Sequence, residues 1–219
     1  MLACSKRDIS INNLITNEEE TNLSWKSFVI DLDLAIKEQC EGPSGADGRT
    51  GTRAFMAIGV LLGEEHSLWH DFESFFWVLF WVCIHYNGPN EARVVPRFEK
   101  WNYANMEDLA TYKKGVVYDE RDFLKTALEN FTPYYQPLVQ WVNKLRKVVF
   151  PDGKRRRRSN RSMYWSMREI LQAAEAEEAA QVAEAAKAAE AAKAAQAAQA
   201  THGMIRRSQR NRGEDDSFT

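Results

Sequence analysis

Residues 75–84, FFWVLFWVCI, are apolar without exception. Such a run gains free energy only when every side leaves water, so the fold must be built around it. A bilayer needs about 20 apolar residues, which makes this run too short to span one. Periodicity alone does not separate a buried strand from a buried helix. Length and flanks select the helix. Aromatic and charged residues extend the segment to 69–86, WHDFESFFWVLFWVCIHY, and no Gly or Pro interrupts it before Asn87-Gly88-Pro89. The expectation is a mainly α domain with this helix buried at its centre. The first turn carries His70, Asp71 and Glu73, the last two being carboxylates where the helix dipole favours negative charge. A polar group at the head of so apolar a helix needs a specific partner.

The chain of 219 residues suits one domain with extensions. Its formal net charge of −2 points to no dominant polyanionic partner, although it conceals a basic run at 154–158, KRRRR. Cys4, Cys40 and Cys83 are odd in number, widely spaced and outside metal-ligand patterns. They fit reduced thiols in a cytoplasmic or nuclear protein. No stretch near Met1 has the basic-then-apolar layout of a secretory leader, and no membrane partner is expected.

Polar residues near the start stand in an apolar setting. Arg7, Asp8 and Asn13 lie among Ile9, Ile11, Leu14 and Ile15, and the alternation over 9–15 predicts an extended loop entering a short strand. Residues 17–22, NEEETN, read as a turn, and 25–35, WKSFVIDLDLA, as a second strand. The pair predicts a hairpin that gathers Asp8, Asn13 and Asp31 along one edge. Taken singly, such Asp and Asn residues serve turns. Taken together, they meet the needs of phosphoryl transfer: one carboxylate for the hydroxyl proton, and an amide and a second carboxylate for Mg²⁺ on nucleotide phosphates.

At these residues a family resemblance becomes specific. Residues 6–13, KRDISINN, resemble the protein-kinase catalytic loop H-R-D-L-x-x-x-N, and Asp31-Leu32-Asp33 stands where kinases carry D-F-G. Residues 51–57, GTRAFMA, resemble the end of the activation segment that runs into A-P-E, and Asp71 with Ser74 resembles the start of the central helix of the kinase large lobe. The wording is most similar to the fungal-type protein kinase family, with four motifs in family order over residues 4–150. The resemblance implies a helical kinase-like C-lobe with a short β-hairpin at the catalytic edge. It implies ATP and Mg²⁺ as cofactors, Asp8 as base, Asn13 and Asp31 as Mg²⁺ ligands, and Thr52 as the anchor of the substrate loop. It also implies that Asp71 hydrogen-bonds the backbone of the catalytic loop at Arg7–Asp8.

Residues 36–50 would be the activation segment, with Ser44 and Thr50 as phosphorylation candidates near Arg7. Residues 87–101 read as a loop. Residues 106–117 and 119–130 read as helices, the second with Phe123, Leu124, Ala127 and Leu128 on one face. Residues 135–149 resume the helical pattern through Leu138, Trp141, Val142, Leu145 and Val149, and Pro151-Asp152-Gly153 closes the domain. The basic run should stay solvated, because successive cations repel. It reads as a linker, an import signal or, less favoured, a nucleic-acid contact. Residues 162–200 read as one helix, with Met163, Met167, Ile170 and Leu171 forming a short apolar face and Ala dominating beyond. The expected organisation is a lobe at 1–152, a basic linker at 153–161, an Ala-rich helix at 162–200 and a disordered tail at 201–219.

Several kinase parts are missing or altered. No G-x-G-x-x-G loop and no V-A-I-K lysine occur in these residues, so the resemblance covers the large lobe with the small lobe absent. Lys6 replaces the catalytic-loop His, and Ser10 stands where a phosphate-stabilising Lys is frequent. Leu32-Asp33 replaces Phe-Gly. Ile58-Gly59 replaces Pro-Glu, which implies loss of an anchoring ion pair. Contacts of this type are worth roughly 2.7–4 kcal/mol each. The expectation is a protein Ser/Thr kinase domain by resemblance, weak or inactive on its own, with a protein substrate or protein partner. The alternatives are a non-catalytic pseudokinase or interaction module, and partner or nucleic-acid binding through the basic run and long helix.

Overall fold

A computed structural model describes residues 4–5, 9–16, 27–29, 36–37, 52–89, 91–156 and 162–215. The structure is mainly helical. Its centre is α2, Leu68–His85, whose buried residues include Phe76, Trp77, Phe80, Trp81, Cys83 and Ile84. Aromatic rings pack around it edge-on: Phe76 against Phe150 at 5.3 Å, Trp77 against Trp101 at 5.5 Å, and Phe80 against Phe98 at 5.6 Å between centroids. Rings packed this way contribute about 0.5–1.5 kcal/mol per pair beyond burial. The Cys83 thiol is fully buried, and burial pushes it up to about 12, so it stays protonated and inert.

The end of α2 is closed by side chains from elsewhere in the sequence. Arg93 Nε donates to the Ile84 carbonyl at 2.7 Å. The Thr132 N–H donates to Cys83 O at 2.9 Å and its hydroxyl to Tyr86 O at 2.7 Å. These bonds satisfy carbonyls that a helix C-terminus otherwise leaves open.

Four helices surround this core. They are α3 (Pro96–Glu99), α4 (Met106–Val117), α5 (Glu120–Asn130) and α6 (Val139–Val149). α3 and the 3₁₀ turn Lys100–Asn102 lie inside the stretch expected to be a loop. Pro96 opens α3, where its missing N–H costs nothing. Asn105 caps α4 by accepting from Asp108 N–H at 2.8 Å, and Asp119 caps α5 through Arg121 and Asp122. On α5, Phe123 and Ala127 are buried as expected, but Leu128 is 57% exposed and Thr126 takes the inward place. Arg146 of α6 is buried and donates to Val117 O at 2.7 Å, holding the end of α4. After α6 the chain turns at Gly153, where φ is +70° and a Cβ would overlap the Tyr118 carbonyl.

The strands are short. β1 (Cys4–Ser5) pairs antiparallel with β4 (Ile36–Lys37), and β2 (Leu14–Thr16) with β3 (Ser27–Val29). The alternating stretch expected to run extended over 9–15 is interrupted by a 3₁₀ turn, Ile11–Asn13, closed by Asn13 N–H on Ser10 O at 3.1 Å. Within 25–35 the described strand is Ser27–Val29 alone. The β1–β4 pair was not legible from alternation, because two residues are too few to show a period.

The chain divides into two units, Met1–Leu171 and Gln172–Thr219. The last helix, α7, runs from Ser162 to Asp215. In the first unit its Met163 and Met167 are buried, while Leu171 is 47% exposed. In the second unit the helix continues past Ala200, where the Ala-rich composition was expected to end it; residues 216–219 lie outside the described residues. Among the described residues no helix is long and apolar enough to cross a membrane.

Candidate functional site

The two ladders are joined twice. Residues 6–13 connect β1 to β2, and residues 30–35 connect β3 to β4. In register, Ser5 faces Ile36 at one ladder and Leu14 faces Val29 at the other. Both connections therefore start and finish at the same two ladder ends. Asp8 and Asn13 belong to the first connection, Asp31 and Asp33 to the second. Asn13 is 8% exposed and immediately precedes Leu14, and Ile9 packs into the core. Asp8 and Asp31, like Arg7, lie outside the described residues, so the expected contact of Asp71 with Arg7–Asp8 does too.

The head of α2 carries buried polar residues. Asp71 is buried, and its Oδ1 accepts from His66 Nε2–H at 2.7 Å. His70 is also buried; its Nδ1 accepts from the Ser67 N–H at 3.2 Å and the Ser67 hydroxyl at 3.0 Å. With Nδ1 accepting, the neutral ring carries its proton on Nε2 and donates it to Glu64 Oε2 at 3.3 Å. Burial, with His66 adding to it, pushes His70 down to about 4, so the ring is neutral at ordinary pH.

Thr52 is exposed and opens the segment that runs back to α1, Ile58–Leu61. Its carbonyl accepts from Phe55 N–H at 2.9 Å, which begins the 3₁₀ turn Arg53–Phe55. Ala54 to Ile58 are then buried. Two charged residues that sequence reading did not assign grip this backbone. Glu73 accepts from Ile58 N–H at 2.7 Å and from Trp77 Nε1–H at 3.0 Å. Lys113, fully buried, donates to Met56 O at 2.5 Å and sits 4.6 Å from the Trp77 ring centroid. Burial raises the Glu73 carboxyl and lowers the Lys113 ammonium to about 7, each offset in part by the charge of the other. Glu73 and Trp77 stand four apart on one helix face, which was a readable signal. Lys113 was not readable, since its partners are far away in sequence.

The basic run is not uniformly solvated. Arg155 pairs with Glu64, and Arg156 donates twice to Val148 O, at 3.0 and 2.8 Å. Both side chains are half-buried, while Lys154 is exposed. Repulsion along the run is relieved by acceptors that the sequence alone did not reveal.

Residues 4–83 match the fungal protein kinase family. The matched region takes in both ladders, both connections, the segment from Thr52 and most of α2. It is kinase-like in sequence, and the family as a whole brings ATP and Mg²⁺ into consideration. No curated protein and no solved structure matches the chain. Among the described residues no cluster of three or more His, Cys, Asp or Glu is placed to hold a metal. A groove of about 510 Å³ lies between α3, α4 and α5 beside Arg97, Lys100 and Tyr112.

Proposed function

We propose that residues 1–152 form a kinase-type C-lobe whose ladder connections make a phosphate-handling rim. The observation that carries the reading is the shared register. Two connections leave and rejoin the same ladder ends in the region that matches the kinase family, which supports a reading in which Asp8, Asn13 and Asp31 would share one edge. A carboxylate and an amide oxygen are hard donors that suit Mg²⁺. Asn13 and Asp31 would hold the ion; Asp8 would orient and accept the proton of a protein Ser/Thr hydroxyl; Thr52 would anchor the substrate-facing segment. Bound Mg²⁺ would neutralise charge on nucleotide phosphates. The rest is done by the chain: Glu73 and Lys113 fix the Met56–Ile58 backbone behind Thr52, and Asp71 with His66 stiffens the head of α2.

These 219 residues contain no Gly-rich loop and no V-A-I-K lysine, so the chain by itself binds nucleotide weakly and turns over little or none. The partner is a protein, either substrate or regulator. The inward commitment of Arg155 and Arg156 disfavours the basic run as a nucleic-acid surface. Leu32-Asp33 in place of Phe-Gly favours a second reading, a non-catalytic module that keeps the rim as a binding surface.

Thermal-shift titration with Mg–ATP separates the two, because a ligand of the native state raises apparent stability. The kinase-type reading predicts a Mg²⁺-dependent rise that Asp31→Asn abolishes. No rise at millimolar Mg–ATP, or an equal rise in Asp31→Asn, rejects it in favour of the binding module.

A further inference from the structure

The turn after α1 returns the chain to the start of that helix. Glu64 N–H donates to Gly59 O at 2.9 Å. The Glu64 side chain then lies over Gly59 so closely that a Cβ there would overlap Glu64 Oε2 and would stand 2.5 Å from His70 Nε2. The carboxylate occupies the space where a side chain at position 59 would begin. Its Oε1 takes Arg155 and its Oε2 takes His70. Position 59 is also where the kinase resemblance leads one to expect a Glu that is lost in this chain.

We propose that Glu64 replaces that carboxylate in space, and that Glu64 and Arg155 form the ion pair anchoring the 52–63 segment. The anchoring charge moved along the sequence while its location in the fold was kept. Gly59 is what makes room for it. Arg155, second in the basic run, is thereby a positioning residue and not part of a surface for polyanions. Arg156 on Val148 O fixes the same strap to α6, so the run clasps α6 to the turn after α1. The segment behind Thr52 is then held at two places, by Glu73 and Lys113 at Met56–Ile58 and by Arg155 at Glu64. The pair itself follows from the contacts; only the description of 52–63 as substrate-facing rests on the reading given under Proposed function.

Hydrogen exchange on the full chain tests the pair. Both side chains are a quarter to a third exposed, 25% for Arg155 and 33% for Glu64, so each truncation has a modest effect. Glu64→Ala and Arg155→Ala should each speed amide exchange over 57–63 by roughly two- to fivefold. The double variant Gly59→Glu/Glu64→Ala should recover the lost protection. If that variant does not fold, the charge exchange Glu64→Arg/Arg155→Glu carries the same test, with protection above either single variant expected. Unchanged exchange in both truncations overturns the proposal, as does failure of every folded double variant to recover protection. So does Arg155→Ala that weakens binding of a single-stranded oligonucleotide while leaving 57–63 unchanged. A missing Mg–ATP shift with intact rescue would reject the kinase-type rim and leave the clasp standing.

Discussion

α2 and the Gln172–Asp215 part of α7 are both long helices, and they exist for opposite reasons. α2 is rich in aromatic and β-branched residues, which are indifferent helix formers; burial among other helices holds it in place. As far as Ala200 the α7 extension is mostly Ala, the best helix former, and among its described side chains none is buried. Even Val182 is 64% exposed. Tertiary burial positions polar groups, and local propensity does not. On α2, Glu73, His70 and Asp71 are bound by Ile58, Ser67 and His66, which precede the helix. Among the described residues the α7 extension offers weak surface pairs such as Gln181 with Glu177 at 3.3 Å.

The largest expected contrast is in stability. Trp77→Ala removes a fully buried ring that also binds Glu73 and faces Lys113, and should cost about 3–5 kcal/mol in urea unfolding followed by Trp fluorescence. Val182→Ala should stay within about 0.5 kcal/mol. An equal effect of the two would erase the distinction between the helices.

A second contrast is in pH dependence. Lys113 is held near 7 when folded and lies near 10.4 when unfolded. Between those values the unfolded chain binds more protons, so stability rises with pH. Urea midpoints from pH 7 to 9 should climb in the wild type, and Lys113→Met should flatten the climb. His70 gives a smaller effect on the acid side. Its folded value of about 4 lies below 6.5, so stability should fall as pH drops from 6.5 towards 4 and be unaffected by this group above 6.5. His70→Gln should shrink that loss.

The smallest effect sharpens the local side. Ala186→Gly costs about 1 kcal/mol of helix propensity. It should lower the helical circular dichroism amplitude while leaving the Trp-reported transition in place. A shift in that transition would mean that the extension takes part in core stability.

Much of the fold was legible because its signals are local. The apolar run fixed α2, helical spacing such as that of Phe123 and Ala127 marked α5, and Met163 with Met167 marked the anchored start of α7. Asn13, Thr52 and Asp71 drew notice through their motifs, and the roles given to them stay proposals. The gripping residues were not. Lys113 reaches Met56 across 57 positions and Arg155 reaches Glu64 across 91, distances over which a single sequence carries no pairing signal. The basic run read as solvated for the same reason: its acceptors are a backbone carbonyl and a turn carboxylate that only the fold brings near.

Mn²⁺ in place of Mg²⁺ offers the most direct test of the phosphate-handling rim, read as paramagnetic broadening in NMR spectra of the full chain with ATP. The account predicts selective broadening of the Asn13 side-chain amide, lost in Asp31→Asn. Broadening spread evenly over the surface, or an Asn13 signal that stays sharp at saturating Mn–ATP, would contradict it.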